Sequence, residues 1–264
     1  MRLLAITDLR GATDRLAQLR DLVASERIDG IVFCGNIVGE DARVEAFREA
    51  EAAQKAPAME QRALHELEDA AVKAYEAFFD EMGLLKVPVW VVPGYLDAPE
   101  RLYLQAALNH EVVAPNVDMI HRSFSPYPRE NLVFAGFGGG ISDDLRENRF
   151  VLVYPEWEAR FAFEFLRHLE QEPVLVFHTP PRHGDLGLER GKHIGRDVVD
   201  DLIKTYRPRL AFCGNALDGQ GVTMIGTTKV IHPGPLAKGH YALVDTRTLD
   251  VEFGKLPEPQ PAAA

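Results

Sequence analysis

Five short apolar runs, each ending in a polar or glycine-containing loop, constrain the fold of this sequence most. A short apolar run bounded by turn residues indicates a buried strand. The five stretches are LLAITDLRG (3–11), GIVFCGNIVGE (30–40), VPVWVVPGYLD (87–97), VLVFHTPPRHGD (174–185) and RLAFCGNALDG (209–219). Since α/β proteins place their functional residues in the loops that follow strands, we expect these five loops to form one site.

The order of the predicted elements indicates an α/β fold. A helix with leucines at helical spacing begins near Thr13, between the first two apolar runs. Strand, helix and strand in succession predict a right-handed βαβ unit with parallel strands. The second half of the chain is strand after strand. We therefore predict two packed sheets flanked by helices.

Residues 41–82 differ in composition, being rich in Ala, Glu, Arg and Gln and poor in β-branched residues. This composition predicts helices, and Pro57 should divide them into two. The second helix has an apolar face formed by Leu64, Leu67, Ala71, Tyr75 and Phe78. Its acidic outer face indicates either an ordinary solvated surface or a surface that binds a partner protein.

Two further predictions concern the second half of the chain. Residues 157–169 form an amphipathic helix in this interpretation, with Phe161, Phe165 and Leu169 on its apolar face. Residues 1–254 are predicted to form a single domain. The last stretch, KLPEPQPAAA (255–264), has little to bury and is predicted to be a disordered tail.

Charge and composition disfavour several classes of partner. The 264 residues have a formal net charge of −11 and no cluster of Lys or Arg, so nucleic acid is not expected to bind. No signal segment and no apolar run of membrane-spanning length is present, so we expect a cytoplasmic protein without a membrane partner. Cys34 and Cys213 each end an apolar run and are expected to be buried, reduced thiols.

The five loops resemble those of the calcineurin-like metallophosphoesterases over nearly the whole chain. The matching residues are DLR at Asp8, GN at Gly35, GYLD at Gly94, HTPP at His178 and GNAL at Gly214. The segment HPGPLAKGHYALVD (232–245) is similar to the family's C-terminal segment. The resemblance implies a four-layer α-β-β-α sandwich of two mixed sheets, with two divalent metals held by the loops.

Most of the metal-ligand positions implied by the resemblance hold other residues. Asp8 and His178 stand where the family has ligands, and Leu96 occupies the position of the histidine that protonates the leaving group. The other ligand positions hold Arg10, Asn36, Tyr95, Asn215 and Leu217. Asn36 replaces the metal-bridging aspartate and supplies only a neutral oxygen, and the guanidinium of Arg10 is permanently cationic. A binuclear hydrolytic centre is therefore not expected.

Two interpretations of the changed site follow. The guanidinium of Arg10 could bind a phosphorylated small molecule without hydrolysing it, with Asn36, Tyr95 and Asn215 as further ligand-binding residues. Alternatively, Arg10 forms an ion pair with Asp8 and closes an inactive site. In both cases the protein is a non-hydrolytic member of the fold, acting in ligand binding or as a scaffold.

An enzymatic alternative also remains at the sequence level. Asp8, His178 and Asp97 could hold one divalent metal, such as Mn, Zn or Fe, with His178 and Asp97 as the catalytic candidates of a weak phosphoesterase. His183 and His232 are candidates for replacement ligands, and His193 lies in the same loop as His183. A third alternative is an interaction protein that acts through residues 41–82.

Overall fold

The computed structural model of the chain describes residues 1–144 and 148–258. The strands are β1 (Arg2–Ile6), β2 (Gly30–Phe33), β3 (Val89–Val91), β4 (Val117–Met119), β5 (Ser123–Tyr127), β6 (Leu132–Phe137), β7 (Gly140–Ile141), β8 (Val153–Tyr154), β9 (Glu172–Phe177), β10 (Leu188–Glu189), β11 (Lys192–His193), β12 (Leu210–Phe212), β13 (Gly221–Ile225), β14 (Thr228–His232), β15 (His240–Asp245) and β16 (Val251–Lys255). The helices are α1 (Asp14–Ser25), α2 (Ala42–Ala52), α3 (Gln61–Leu84), α4 (Glu100–Glu111), α5 (Glu156–Phe161) and α6 (Asp197–Tyr206).

Two six-stranded sheets form the centre of the fold. The first has the order β16-β15-β1-β2-β3-β4, and the second has the order β13-β14-β12-β9-β6-β5. Strands β1 to β4 are parallel, and β15 runs antiparallel to both of its neighbours, β1 and β16. In the second sheet β6, β9, β12 and β14 are parallel, and β5 and β13 are antiparallel at the two edges. Both sheets are therefore mixed, as predicted.

The two sheets pack face to face through alternate residues of their strands. In β1, Leu3 and Ala5 point between the sheets, while Leu4 and Ile6 point to the outer face, because successive side chains of a strand lie on opposite faces. Trp90 of the first sheet stacks on Phe134 of the second, with ring centroids 3.5 Å apart and an interplanar angle of 7°. The apolar side chains between the sheets join them into one body.

Helices cover both outer faces. Apolar side chains of α1 to α4 pack against the outer face of the first sheet. Residues of α5 and α6 pack against the outer face of the second. The arrangement is the predicted four-layer sandwich of helices, two sheets and helices. It buries the strands on both faces, which explains why the apolar runs in the sequence are continuous rather than alternating.

The inserted helices lie where the composition predicts them. Helix α2 ends at Ala52 and α3 begins at Gln61, so Pro57 lies in the break between them. Asp41 caps α2 by accepting a hydrogen bond from the backbone N–H of Arg43. The apolar side of α3 is buried against the first sheet and α4, and its outer side is exposed. The binding of a partner by this outer side remains a prediction.

The helix predicted over 157–169 is wrong in its length and in its buried face. Helix α5 ends at Phe161, and a short 3₁₀ helix follows from Glu164 to His168. The turn between them points Phe163 into the core and leaves Phe161 71% exposed. Residues two apart in a helix do not lie on the same face, so Phe161 and Phe163 could not both be buried in one helix. The chain buries Phe163 and ends the helix at Phe161.

The sequence predicts a disordered tail from residue 255, but residues 255–258 contact the rest of the chain. Lys255 pairs with His240 at the end of β16, and Leu256 is buried against the core. The backbone carbonyl of Pro257 and the carboxylate of Glu258 accept hydrogen bonds from the Arg15 side chain. These contacts hold residues 255–258 in place. The remainder of the predicted tail, 259–264, lies outside the described residues.

None of the helices in the described ranges combines the length and the apolar character needed to cross a membrane.

Candidate functional site

The loops after β1, β2, β3, β9 and β12 meet at one end of the two sheets. Four residues of these loops have left-handed backbone conformations, with φ of 55° at Asp8, 48° at Arg10, 64° at Asn36 and 70° at Asn215. Asp and Asn tolerate this conformation, but it is uncommon for Arg. Backbone strain of this kind is characteristic of functional sites, because the surrounding structure must maintain it.

The loops are in direct backbone contact. The N–H of Arg10 donates to the carbonyl of Asn36 at 3.0 Å. A Cβ atom at Gly94 would lie 2.1 Å from the backbone nitrogen of Asn36, so any larger residue would separate the two loops. The glycine of the GYLD segment is therefore required by packing.

The carboxylate of Asp8 lies at the centre of the site and accepts four hydrogen bonds. Oδ1 accepts from Nε of Arg10 at 2.9 Å and from Nδ2 of Asn36 at 2.8 Å. Oδ2 accepts from the Thr7 hydroxyl at 3.0 Å and from the N–H of Asn215 at 2.9 Å. Complete burial disfavours the charged form, but the Arg10 guanidinium and the other donors outweigh it and lower the pKa of Asp8.

Arg10 has spare hydrogen-bond donors after its contact with Asp8. Its Nη2 lies 3.4 Å from the carbonyl oxygen of Asn215, and its Nη1 lies 3.6 Å from a carboxylate oxygen of Glu40. The side chain is 13% exposed. Among the described residues, these outer nitrogens make one long hydrogen bond and one long ion pair, and Arg10 lines the pocket.

Both the NH₂ group and the oxygen of the Asn36 side chain form hydrogen bonds within the site. Its Nδ2 donates to Asp8, and its Oδ1 accepts from the N–H of Leu96 at 2.8 Å. The side chain thereby joins the loop after β2 to the loops after β1 and β3. Asn36 is fully buried, so it links the loops and does not line the pocket.

The sequence predicts Asp97 as a metal ligand and catalytic candidate, but its carboxylate bonds to backbone N–H groups of the loops. Its Oδ1 accepts from the N–H groups of Ile37 and Val38 at 2.9 and 3.1 Å. Its Oδ2 accepts from those of Asn36 and Gly94 at 2.9 and 2.7 Å. Burial raises the pKa of Asp97 to about 6, although these four donors favour the ionised form. The carboxylate holds two loops together, and four backbone N–H donors occupy its oxygens.

His178 is fully buried beside Asp8. Its Nδ1 lies 2.6 Å from the carbonyl oxygen of Cys34, which assigns the ring proton to Nδ1. Nε2 has no hydrogen-bond partner among the described residues. Burial lowers the pKa of His178, so the ring is neutral and Nε2 has a free lone pair.

The other candidate histidines have different environments. His232 is buried near Asp8, its Nδ1 accepts from the N–H of Gly234, and burial lowers its pKa to about 4. His183 is half exposed, with its Nδ1 3.8 Å from Asp200. His193 bonds to the carbonyl of Gly184 within its own loop. Of these three histidines, His232 is the one that approaches the centre of the site.

A pocket of about 220 Å³ opens above Arg10. Tyr95, Leu96 and Asn215 contribute to its walls, as the loop positions predict. Burial raises the pKa of Tyr95 to about 12, so its hydroxyl is protonated. The polar site residues that the sequence did not indicate are Glu40, Arg48, Ser142, Thr179, Glu189 and Arg196.

Two of these residues, Arg48 and Glu40, form an ion pair at the wall of the pocket. Arg48 forms two hydrogen bonds with Glu40, at 2.9 and 2.7 Å, and these lower the pKa of Glu40. Glu189 lies on the β10–β11 hairpin, which covers one side of the pocket. The sequence signal for this hairpin is the long polar loop after His178, which does not indicate which side chains turn inward.

The residues present do not fit a pair of divalent metals. The carboxylates of Asp8 and Asp97 have their oxygens occupied by hydrogen-bond donors, and the cation of Arg10 lies against Asp8. Nε2 of His178 is a buried atom of the site that keeps a free lone pair. Across residues 1–144 and 148–258, no three His, Cys, Asp or Glu side chains are grouped to hold a metal ion.

Comparison with known proteins identifies one matching family and several similar structures. A family model described as metallophosphoesterase, calcineurin superfamily, matches residues 1–256. One solved crystal structure is 31% identical, with a TM-score of 0.88 and coverage of 96% of this chain and 98% of the other. The protein TT1561 of Thermus thermophilus is 28% identical, with a TM-score of 0.78 and the same coverage.

A more distant structure has the same fold. It is a dimetal phosphatase from Danio rerio, 13% identical, with a TM-score of 0.58 and coverage of 92% of this chain and 91% of the other. At this identity the likeness concerns the fold alone. No curated protein matches the sequence.

Proposed function

The chain belongs to the calcineurin superfamily of metallophosphoesterases. We propose that it is a non-hydrolytic member of this superfamily. In this proposal Arg10 takes the place of divalent metals and binds the anionic group of a phosphorylated small molecule. The protein then acts as a binding protein, and the bound phosphoester is released unchanged.

The observation that supports this proposal most directly is the set of hydrogen bonds to Asp8. Four donors surround its carboxylate, and two of them are the side chains of Arg10 and Asn36. A metal ion at Asp8 would have to displace a charge-assisted hydrogen bond and overcome repulsion from the guanidinium. Without a metal ion to activate water, the family's hydrolytic reaction has no nucleophile at this position.

The open pocket above Arg10 supports ligand binding over a closed, inactive site. The outer nitrogens of Arg10 face this space, and Arg48 and Arg196 also line it. A guanidinium pairs with phosphate oxygens through two parallel N–H groups, and its contact with Asp8 holds it in a fixed orientation.

The proposal is tested by calorimetric titration of inorganic phosphate into chelator-treated protein. We expect saturable binding that persists without metal and is lost in Arg10→Ala. Arg62→Ala is the control, since Arg62 is exposed on α3 and away from the pocket. Absence of saturable binding in the native protein, or unchanged binding in Arg10→Ala, would refute the proposal.

A second candidate function is a weak phosphoesterase with a single metal. The observation that favours it is the geometry of His178, whose Nδ1 proton is held by the Cys34 carbonyl while Nε2 keeps a free lone pair. This pattern is typical of metal-binding histidines. Hydrolysis of an aryl phosphodiester with added Mn²⁺, abolished in His178→Ala, would favour this candidate over the first.

A further inference from the structure

Glu189 is a charged group of the pocket that no side chain of the described residues satisfies. Its side chain is half-buried at the pocket wall and makes no side-chain hydrogen bond or contact ion pair in residues 1–144 and 148–258. Burial raises the pKa of Glu189, although the Arg10 guanidinium opposes this shift. A half-desolvated carboxylate without a partner is unfavourable unless a ligand supplies hydrogen-bond donors.

The pocket therefore presents two kinds of unsatisfied group. Arg10 offers spare N–H donors, and Arg196 makes no side-chain hydrogen bond or ion pair in the described part of the chain. Glu189 offers only acceptors. Orthophosphate would satisfy the arginines, but the negative charge of Glu189 would weaken its binding. A suitable ligand needs an anionic group at one end and hydroxyl donors at the other.

The size and the walls of the pocket limit the ligand further. A volume of about 220 Å³ is below the range of roughly 300 to 1,000 Å³ of pockets for drug-sized ligands. This size excludes dinucleotides and favours a compact molecule. The apolar walls formed by Leu96, Ile141, Val153 and Ile194 suit the C–H faces of a small carbon skeleton.

We propose that the ligand is a phosphorylated sugar or polyol, with its phosphate on Arg10 and its hydroxyl groups on Glu189. This inference rests on the proposed function and assigns Glu189 as the residue that determines specificity. Each hydroxyl that donates to the carboxylate forms a charge-assisted hydrogen bond, which is stronger than a bond between neutral groups.

The test compares phosphate esters that differ only in their hydroxyl groups. Methyl phosphate, glycerol 3-phosphate and ribose 5-phosphate are titrated calorimetrically into the chelator-treated native protein, Glu189→Gln and Arg10→Ala. We expect ribose 5-phosphate to bind the native protein at least about ten-fold more tightly than methyl phosphate, as hydrogen bonds to a charged group imply.

The expected effects of Glu189→Gln have opposite signs for the two ligands. Ribose 5-phosphate should bind about ten-fold more weakly because a charged acceptor is lost, whereas methyl phosphate should bind as well or better because a repulsive charge is removed. A general structural defect would weaken both. Glu45→Gln, on the exposed side of α2, is the matched control and should change neither affinity.

The outcomes separate this inference from the proposed function. Loss of methyl phosphate binding in Arg10→Ala, with no preference for ribose 5-phosphate, would overturn the role of Glu189 and leave the proposed function intact. Failure of every phosphate ester to bind would refute both. Tighter binding of phosphoethanolamine than of glycerol 3-phosphate would show that Glu189 recognises an ammonium group, and would overturn the assignment to sugars and polyols.

Discussion

Nε of Arg10 lies 2.9 Å from Oδ1 of Asp8, within a carboxylate that is fully buried. An ionised carboxylate without a partner would be strongly unfavourable at this depth. The guanidinium supplies the opposite charge that a metal ion supplies in a metal site. Under the proposed function, this pair balances the charge of the aspartate where the loops meet, without a metal.

Asn36→Asp tests whether the carboxylate of Asp8 depends on its hydrogen-bond donors. The variant exchanges a donor 2.8 Å from Asp8 for a second carboxylate. Because like charges then face each other in a buried site, we expect the free energy of unfolding to fall by about 3 kcal/mol in chelator. Millimolar Mn²⁺ should restore part of this loss, since two adjacent carboxylates favour a divalent cation.

Asn131→Asp is the control for that variant. Asn131 is exposed and shares the left-handed backbone conformation of Asn36, with φ of 55°. Its replacement should leave both the stability and the response to Mn²⁺ unchanged. If Asn36→Asp is as stable as the native protein in chelator, the hydrogen bond from Asn36 to Asp8 is not important to the fold.

Asp97→Asn should destabilise the fold, because the carboxylate of Asp97 holds two loops together. An amide at this position places an NH₂ group against two backbone N–H donors that now bond to a carboxylate oxygen. We expect a loss of about 3 kcal/mol in urea denaturation, because buried donors would be left without acceptors. Asp69→Asn, at an exposed position of α3, should have little effect. Equal stability of the two variants would contradict the role assigned to Asp97.

Acid should destabilise the protein through its buried histidines. Burial lowers the pKa of His232 from 6.5 to about 4 in the folded state. Between these values the unfolded chain binds a proton that the folded chain does not, so stability falls as the pH decreases. From His232 alone we expect a loss of about 2 kcal/mol between about pH 7 and about pH 5. Urea denaturation should show a shallower pH dependence in His232→Gln, and an unchanged slope would exclude this origin.

The exposed aromatic residues of α5 should contribute little to stability. Trp157 is 65% exposed and Phe161 is 71% exposed, whereas Phe163 is completely buried. Trp157→Ser and Phe161→Ser should change the free energy of unfolding by no more than about 0.5 kcal/mol. Phe163→Ala should destabilise by about 3 to 5 kcal/mol, because it leaves a cavity in the core. Thermal denaturation of the three variants checks this order, and a large effect at Phe161 would contradict the exposed position.

The sequence was sufficient to predict the fold because the buried strands are continuous apolar runs with polar loops at one end. Parallel strands deliver these loops to the same edge, so the proximity of Asp8, Asn36 and His178 follows from topology. The proximity of Arg10 and Asp8 follows from their spacing within a single loop. These features depend on local pattern, which the sequence contains.

Other features of the site depend on how the loops turn in three dimensions. The GYLD segment locates Asp97, but not whether its oxygens face a metal or the backbone N–H groups of a neighbouring loop. Glu189 lies on a two-residue strand with no apolar period, so nothing in the sequence indicates that it faces the pocket. The break after Phe161 is not evident in the sequence, because the apolar spacing of 157–169 also fits a longer helix.

The most direct test of a guanidinium in place of metals is calorimetric titration of Mn²⁺ into chelator-treated native protein at neutral pH. The hydrogen bonds that occupy Asp8 and Asp97 predict no saturable binding. Under the same conditions Asn36→Asp should bind Mn²⁺. Saturable binding of one or two Mn²⁺ ions per native chain, lost in His178→Ala, would contradict the account and restore a metal-dependent function to the site.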